Sequence, residues 1–390
     1  MTIVVVGAGL GGLNVIEALR RSGCTAPLVL VGAEVNYPYD RPPLSKAVLQ
    51  TGGPAPLLRA VEDYAELDLD LRLGRRATAV NAGSVDLDDG SSLSYDALVL
   101  APGAIPRRLP GADLPGMHVL RTPADAHALR RDLVETGSLT VIGAGFLGCE
   151  AAASARALDT EVDLVERLPG PLVRVLGPAM AARLSALHVG RGVRVHAGVG
   201  VRAVHGADRV ESVELDDGLT LTARTVLVAL GVVPETDWLA GSGITLLPDG
   251  GIACDSVGRT SMPGVWALGD AAAWTDAGGR QRRVEHWTSA VEQASSVADA
   301  LLADGEPEAP TSVPYVWSEQ YDSILQCVGQ TTPDTEVELL EIGAGLVALH
   351  ADGDRLLGVA LLDARKQTGR ARRLLAAGAD LATARATLTA

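Results

Sequence analysis

The stretch Ile3-Val4-Val5-Val6-Gly7-Ala8-Gly9-Leu10-Gly11-Gly12 joins a short apolar run to a glycine-rich turn. A second stretch of the same kind, Leu139-Thr140-Val141-Ile142-Gly143-Ala144-Gly145-Phe146-Leu147-Gly148, occurs further along the chain. Each pattern predicts a buried strand, a tight turn and then a helix, whose N-terminal N–H groups can bind a pyrophosphate. Two such stretches predict two dinucleotide sites, and therefore a protein that passes electrons between two dinucleotides.

The repeat extends beyond the glycines. The first stretch is followed by Leu87-Asp88-Asp89-Gly90 and an apolar run at 95–103, and the second by Leu215-Asp216-Asp217-Gly218 and an apolar run at 225–231. Asp-Asp-Gly between alternating segments predicts a hairpin, and each apolar run predicts a buried strand. A single glycine pattern is weak evidence, whereas two copies with the same downstream elements predict an α/β chain with two tandem Rossmann-like domains.

An acid about 20 residues after each glycine turn is expected to bind a ribose hydroxyl. Glu34 follows the first turn at the end of an apolar run, and Glu166 follows the second. A carboxylate accepts from a ribose 2′-hydroxyl and repels a 2′-phosphate, so Glu166 favours NADH over NADPH. Arg167 beside it is the residue type that a 2′-phosphate attracts, which leaves the strictness of that preference open.

Bulk properties narrow the class of protein. A chain of 390 residues is long enough for two or three domains, and its net charge of −15 argues against nucleic acid as a partner. No long apolar run or basic leader is present, so neither a membrane span nor secretion is expected. The expected location is the cytoplasm. The cysteines are scattered without a C-x-x-C motif, which argues against a local redox dithiol and a zinc site; no metal site is expected. They are Cys24, Cys149, Cys254 and Cys327.

The segment Tyr37-Pro38-Tyr39-Asp40-Arg41-Pro42-Pro43-Leu44-Ser45-Lys46 is typical of a ligand-binding loop. Its three prolines restrict the backbone, which reduces the entropy lost on binding. Arg41 can bind a pyrophosphate through two parallel hydrogen bonds, and Lys46 adds a compact positive charge. The alternative is a proline-rich surface loop without a ligand.

With these motifs the chain resembles the NADH-dependent ferredoxin reductase family of FAD flavoproteins, from one end to the other. The matching segments are the first glycine turn, 39–46, Ala101-Pro102-Gly103, the second glycine turn with Glu150, Gly231-Val232-Val233-Pro234, Trp266-Ala267-Leu268-Gly269-Asp270, Glu285-His286-Trp287 and Trp317-Ser318-Glu319-Gln320-Tyr321. The segments 41–46 and 317–321 narrow the match most, because the wider group of flavoproteins with two dinucleotides shares several of the others.

The resemblance implies a fold like that of glutathione reductase, with an FAD domain, an NAD domain and a smaller α+β C-terminal domain. The expected FAD domain comprises 1–108 and 238–310, the NAD domain 109–237 and the C-terminal domain 311–390. Strand-like segments at 324–328 and 346–349 and a helix at 370–377 are expected in the last of these.

The resemblance also assigns the binding residues. Those expected to bind FAD are Gly7, Gly9, Gly12, Glu34, Arg41, Lys46, Asp270 and Trp287. Those expected to bind NADH are Gly143, Gly145, Gly148, Glu150 and Glu166. Lys46, Glu150 and Trp287 are the catalytic candidates, with Lys46 near the flavin N5 and paired with Glu150, and Trp287 packed near the flavin ring. Asp270 is also expected to cap the following helix.

The implied activity is hydride transfer from NADH to FAD, then single-electron transfer to a [2Fe–2S] ferredoxin that serves a cytochrome P450 or a Rieske-type oxygenase. Alternatives are a rubredoxin reductase, an NADH oxidase or disulfide reductase, an NADH-sensing flavoprotein and a reductase of small radicals. No cysteine follows Arg41 in its loop, which disfavours disulfide chemistry. Docking of an acidic ferredoxin would need a basic patch, for which Arg107-Arg108 and Arg370, Arg372 and Arg373 are candidates; solvated surface is the alternative.

Overall fold

The computed structural model describes residues 1–111, 113–332 and 335–390. In these residues the helices are α1 (Leu10–Arg21), α2 (Ala47–Thr51), α3 (Pro123–Thr136), α4 (Phe146–Arg156), α5 (Val173–Gly190), α6 (Trp287–Leu302), α7 (Thr368–Ala376) and α8 (Leu381–Thr389). Short 3-10 helices span Pro42–Ser45, Val61–Leu67, Asp237–Leu239, Gly269–Ala271 and Arg365–Gln367.

The strands of the described residues are β1 (Ile3–Val6), β2 (Leu28–Gly32), β3 (Leu69–Leu73), β4 (Ala77–Asn81), β5 (Ser84–Leu87), β6 (Ser92–Ser94), β7 (Ala97–Leu100), β8 (Ala104–Pro106), β9 (Met117–His118), β10 (Ser138–Ile142), β11 (Glu161–Glu166), β12 (Val193–Ala197), β13 (Val201–His205), β14 (Ser212–Leu215), β15 (Thr220–Thr222), β16 (Val226–Val228), β17 (Val232–Pro234), β18 (Ile252–Cys254), β19 (Val265–Ala267), β20 (Ala272–Thr275), β21 (Gln281–Arg283), β22 (Tyr315–Gln320), β23 (Ser323–Gly329), β24 (Glu336–Ile342), β25 (Gly345–Asp352) and β26 (Arg355–Leu362).

One compact unit is built around the first glycine turn. It comprises Met1–Asp40, Pro56–Ile105 and Val232–Ser312. Its main sheet has five parallel strands in the order β19-β7-β1-β2-β3, and every residue of β1 and β7 is buried. Such near-continuous apolar strands are typical of a parallel sheet covered on both faces, and α1 and α6 pack against each other beside it.

The other compact unit contains the second glycine turn and comprises Arg41–Ala55, Pro106–Gly231 and Val313–Ala390. Its parallel sheet has the order β12-β11-β10-β16-β9. In the first unit β1, the strand before the glycine turn, lies between β2 and β7. In the second unit β10, which also precedes a glycine turn, lies between β11 and β16. β7 and β16 are the apolar strands that follow the two hairpins. The repeat in the sequence is therefore a repeat in the topology, and the prediction of two Rossmann-like domains is confirmed.

The hairpins that the sequence predicts are present in both copies. β5 and β6 pair antiparallel across Asp88-Asp89-Gly90, and β14 and β15 do so across Asp216-Asp217-Gly218. The glycine of each turn has a positive φ, 82° at Gly90 and 90° at Gly218, which residues with a Cβ rarely adopt.

The C-terminal part of the second unit is an antiparallel sheet in the order β22-β23-β26-β25-β24 with α7 and α8. The predicted strands at 324–328 and 346–349 and the predicted helix at 370–377 are confirmed by β23, β25 and α7. α8 is not predicted by the sequence, because that helix buries only small or isolated apolar residues, Ala384 and Leu388. Its start was readable from Asp380, whose side chain accepts from the backbone N–H of Thr383 at 2.7 Å.

Among the residues that the structure describes, none of the helices combines the length and the hydrophobicity that a membrane span requires.

Candidate functional site

The first glycine turn contains glycines of two kinds. A Cβ on Gly7, whose φ is 114°, would overlap the carbonyl oxygen of Ala101, and a Cβ on Gly12 would overlap that of Gly7. The packing of the protein's own backbone therefore requires glycine at these two positions. Gly9 is different, because its φ of −100° and ψ of −161° suit any residue and a Cβ there would meet no described atom within 4 Å.

The second turn repeats this distinction. Cβ atoms on Gly143 and Gly148 would overlap the carbonyl oxygens of Ala229 and Gly143, whereas a Cβ on Gly145 would point into open space. Gly145 also has an ordinary extended backbone, with φ −76° and ψ −171°.

Gly9 and Gly145 are therefore not explained by packing or strain. Each is the N-cap of a helix, α1 or α4, with no acidic residue in the first turn. The first N–H groups of a helix lack intrahelical partners and attract anions. Open space in front of such a helix end is what a dinucleotide pyrophosphate requires, so both turns fit the group that the sequence predicts.

The two predicted ribose acids lie near their respective turns along the chain. Glu166 is the last residue of β11, and its carboxylate accepts from the backbone N–H groups of Ala144 at 2.8 Å and Leu168 at 2.9 Å. Glu34 lies two residues beyond β2 and accepts from the hydroxyl of Tyr39 at 2.7 Å. The bond to Ala144 ties Glu166 directly to the second glycine turn and fixes the orientation of its carboxylate.

Lys46 and Glu150 form a largely buried ion pair in the second unit. Lys46 Nζ lies 2.7 Å from Glu150 Oε2, and the glutamate is only 7% exposed. Lys46 follows the 3-10 helix Pro42–Ser45 and also donates to the carbonyl of Pro42 at 3.2 Å. The pairing that the resemblance suggested is thus present. A buried pair is costly unless its remaining hydrogen-bonding capacity is satisfied.

Two serines satisfy that requirement, and the sequence motifs predicted a role for neither of them. Ser45 Oγ donates to Glu150 Oε2 at 2.6 Å, and Ser318 Oγ donates to Oε1 at 2.8 Å. Both serines are buried. Ser45 could have been suspected as the neighbour of Lys46, whereas nothing in the sequence joins Ser318 to a residue on α4.

Arg41 lies in the same proline-rich segment. Its Nη1 donates to the carbonyl of Arg121 at 2.6 Å, in the loop before α3. That bond fixes the guanidinium within the second unit.

Asp270 does not cap a helix, so that expectation was wrong. It lies in the 3-10 helix Gly269–Ala271, which leads into strand β20, and the next α-helix begins only at Trp287. The run Ala271-Ala272-Ala273 has high helix propensity, but β20 pairs with β18 and β21, and this pairing outweighs propensity.

The turn at Asp270 is held by two residues that no sequence motif indicated. The side chain of Gln293 accepts from the N–H of Gly269 at 2.8 Å, and Arg283 Nη1 donates to the carbonyl of Asp270 at 2.8 Å. Both contacts are made within the first unit. They fix the backbone that carries the Asp270 carboxylate.

Trp287 is the first residue of α6 and is 37% exposed, so it is not a core residue. Its indole Nε1 donates to Asp40 Oδ1 at 2.9 Å. The preceding residue, His286, has a buried Nδ1 with no hydrogen-bond partner among the described residues, and burial lowers the pKa of its imidazole. A buried nitrogen of this kind is a natural partner for a ligand, so His286 joins Trp287 as a candidate contact.

The cysteines do not form a redox centre in the described structure. All four are buried and free. Burial raises the pKa of the Cys254 and Cys327 thiols to about 12 and that of Cys149 higher still, which disfavours the reactive thiolate. No group of three metal-binding side chains occurs in the described residues either.

Comparison with known proteins defines the class. The pyridine nucleotide-disulphide oxidoreductase family matches residues 1–294, and the reductase C-terminal family matches residues 315–389. The chain belongs to the pyridine nucleotide-disulphide oxidoreductase family. It is an oxidoreductase, and the family together with the names of its relatives implies NAD(H) and a flavin as cofactors.

Its relatives narrow the class further. The ferredoxin reductase component of chlorobenzene dioxygenase from Cupriavidus sp. (strain PS12) is 37% identical over 98% of this chain and 94% of the relative. Rhodocoxin reductase of Rhodococcus erythropolis is 36% identical over 96% of this chain and 90% of the relative. Putidaredoxin reductase, solved as a covalent complex with putidaredoxin, matches with a TM-score of 0.91 and 31% identity over 97% of this chain and 93% of that one. The resemblance to ferredoxin reductases is confirmed.

Proposed function

We propose that the protein is an FAD-dependent ferredoxin reductase, which takes electrons from NADH and delivers them singly to a [2Fe–2S] ferredoxin. The observation that carries the proposal is the pair of glycine turns, each with an N-cap glycine that leaves open space in front of a helix N-terminus. Relatives that span nearly the whole chain and are named as ferredoxin reductases support the direction of electron flow.

The first turn is assigned to FAD and the second to NADH. The proposed FAD ligands are Gly7, Gly9, Gly12, Glu34, Arg41, Lys46, Asp270 and Trp287. The proposed NADH ligands are Gly143, Gly145, Gly148, Glu150 and Glu166. The corresponding domains are those expected from the sequence, 1–108 with 238–310 for FAD, 109–237 for NAD and 311–390 as the C-terminal domain. We propose that this electron transfer takes place in the cytoplasm.

When bound, FAD supplies the conversion between a two-electron donor and a one-electron acceptor. The protein contributes binding and orientation. The N-termini of α1 and α4 bind the two pyrophosphates, and Glu34 and Glu166 orient the adenosine riboses. Lys46 presents a positive charge whose position is fixed by Glu150, and such a charge stabilises negative charge that develops on a reduced flavin.

The proposed partner is a small iron–sulfur ferredoxin that feeds a cytochrome P450 or a Rieske-type oxygenase. Relatives are named as reductase components of chlorobenzene, benzene and biphenyl dioxygenase systems. Disulfide reduction is disfavoured, because the described thiols are buried, free and unpaired in space with one another. Exposed arginines for an acidic partner include Arg107, Arg108 and Arg373.

Reduction of cytochrome c by the purified protein with NADH, with and without a [2Fe–2S] ferredoxin, tests the proposal. We expect reduction to depend strongly on the ferredoxin, because the ferredoxin carries the single electrons. Rapid NADH consumption without ferredoxin, with oxygen as the acceptor, would instead identify an oxidase. A flavin that NADH does not reduce at all would overturn the proposal.

The preference for NADH should depend on Glu166. Replacing Glu166 with glutamine keeps one oxygen that can accept from the backbone N–H of Ala144 or Leu168, but it removes the charge that repels a 2′-phosphate. Because hydrogen bonds to charged groups contribute about 1.5–3 kcal/mol, the ratio of kcat/KM for NADH over NADPH should fall by about tenfold or more.

Glu161→Gln is the matched control for this ratio. Glu161 lies at the opposite end of the same strand, β11, and is exposed. Its substitution should leave the ratio unchanged. A wild-type ratio in Glu166→Gln would show that another residue selects the nucleotide.

A further inference from the structure

A line of buried polar side chains leads from Glu150 into the C-terminal sheet. Ser318 Oγ lies 2.8 Å from Glu150 Oε1, and Gln320 Nε2 lies 3.2 Å from Ser318 Oγ. Gln320 Oε1 lies 3.1 Å from His188 Nε2, and His188 Nδ1 lies 2.9 Å from the hydroxyl of Tyr321. Ser318, Gln320 and His188 are at most 2% exposed. All of these residues belong to the second unit.

The strand geometry explains how the line forms. Ser318 and Gln320 are two residues apart on β22, so they project from the same face of the sheet. β22 packs against α4, which carries Glu150, while His188 lies in the last turn of α5. Three elements that are distant in sequence thus contribute to one hydrogen-bonded line.

The direction of every bond follows from the carboxylate at its end. A carboxylate only accepts, so Ser318 donates to Glu150 and must itself accept from the amide N–H of Gln320. The amide oxygen of Gln320 then faces His188 Nε2, which must donate. Burial lowers the pKa of His188 to about 4, so the imidazole is neutral at neutral pH and its Nδ1 accepts from Tyr321. All donors therefore point toward Glu150.

The far end of the line is held in a strained conformation. Tyr321 has a φ of 60°, in the left-handed region, which costs a bulky residue about 1–2 kcal/mol. The conformation is stabilised by the bond to His188 and by the guanidinium of Arg191, 5.1 Å from the centre of the tyrosine ring. Arg191 is in turn paired with Asp322. The backbone is strained at the residue whose hydroxyl begins the line.

We propose that Ser318 and Gln320 are positioning residues for the Lys46–Glu150 pair, with His188 and Tyr321 setting the direction of their hydrogen bonds. The aligned donors polarise one another and stabilise a carboxylate that is fixed in one orientation. The C-terminal sheet thereby controls how fast NADH reduces the flavin. This inference rests on the proposed function of the Lys46–Glu150 pair.

Stopped-flow reduction of the flavin by NADH tests the inference. Ser318→Ala should lower the limiting rate constant by about tenfold, because a hydrogen bond to a charged group is lost, and should leave the Kd for NADH within about twofold. Ser318→Thr keeps the hydroxyl and should restore the rate to within about twofold of wild type. Gln320→Leu should give a smaller loss, since it acts on Glu150 only through Ser318.

Gln326→Leu is the matched control for Gln320→Leu. Gln326 is a buried glutamine on the adjacent strand β23, and its side chain is hydrogen-bonded to the hydroxyls of Tyr315 and Thr368. Its loss should lower the melting temperature without changing the limiting rate constant.

A second measurement is independent of turnover. ¹⁵N NMR of the imidazoles, with His188 assigned from a His188→Gln variant, should show His188 neutral and protonated on Nε2. Protonation on Nδ1 would reverse the direction of the hydrogen bonds along the line and overturn the inference. Equal reduction rates in wild type and Ser318→Ala would also overturn it, while leaving the proposed function intact. A wild-type flavin that NADH does not reduce would overturn both.

Discussion

Replacing Glu150 with alanine should slow the reduction of the bound flavin by NADH by about 100-fold while the protein retains its flavin. Glu150 is buried and holds Lys46 Nζ at 2.7 Å, so its loss leaves the ammonium without the carboxylate that positions it. The hydroxyls of Ser45 and Ser318 also lose their acceptor. Stopped-flow absorbance measures the rate, and the flavin-to-protein ratio measures retention.

A double-mutant cycle tests whether Lys46 and Glu150 act as one unit. If they do, the variant lacking both side chains should be no slower than the slower single variant, because each single change already disables the pair. Additive losses would assign them separate roles. If NADH reduces the flavin of Glu150→Ala at the wild-type rate, Glu150 is not part of the site.

Serine at Gly9 should give a folded protein that has lost FAD, and serine at Gly145 a flavoprotein that no longer binds NADH well. Serine is a better N-cap than glycine, and a Cβ at either position meets no described protein atom within 4 Å, so neither change should weaken its helix. The added side chain occupies the space assigned to a pyrophosphate. We expect binding of the corresponding dinucleotide to weaken by at least about tenfold.

Gly369→Ser is the control for these variants. Gly369 also has open space in the direction of a Cβ and lies in α7, away from both turns along the chain. Flavin content and the KM for NADH should stay at wild-type values. Gly12→Ser should behave differently from Gly9→Ser, since its Cβ would overlap the carbonyl oxygen of Gly7 and impair folding. Normal FAD content in Gly9→Ser would refute the assignment of the first turn.

The repeat was readable from the sequence because its signals are local. Positive φ angles and close backbone approaches require glycine, as at Gly7 and Gly143, and buried parallel strands require unbroken apolar runs. The expected helix cap at Asp270 was wrong because the segment after Asp270 forms strand β20. That strand pairs with its hairpin partner β21 and with β18, which lies before β19 in the chain.

The fold class, the two glycine turns and the family could be read from the sequence alone, which also predicts the two ribose acids. Which glycines leave open space at a helix end, and which residues surround Glu150, depends on how the chain folds. Ser45, Ser318, Gln320 and His188 come from a 3-10 helix, a strand and a helix that are distant along the chain. Hydrogen bonds between such residues depend on the packing of whole elements, and no local pattern encodes that packing.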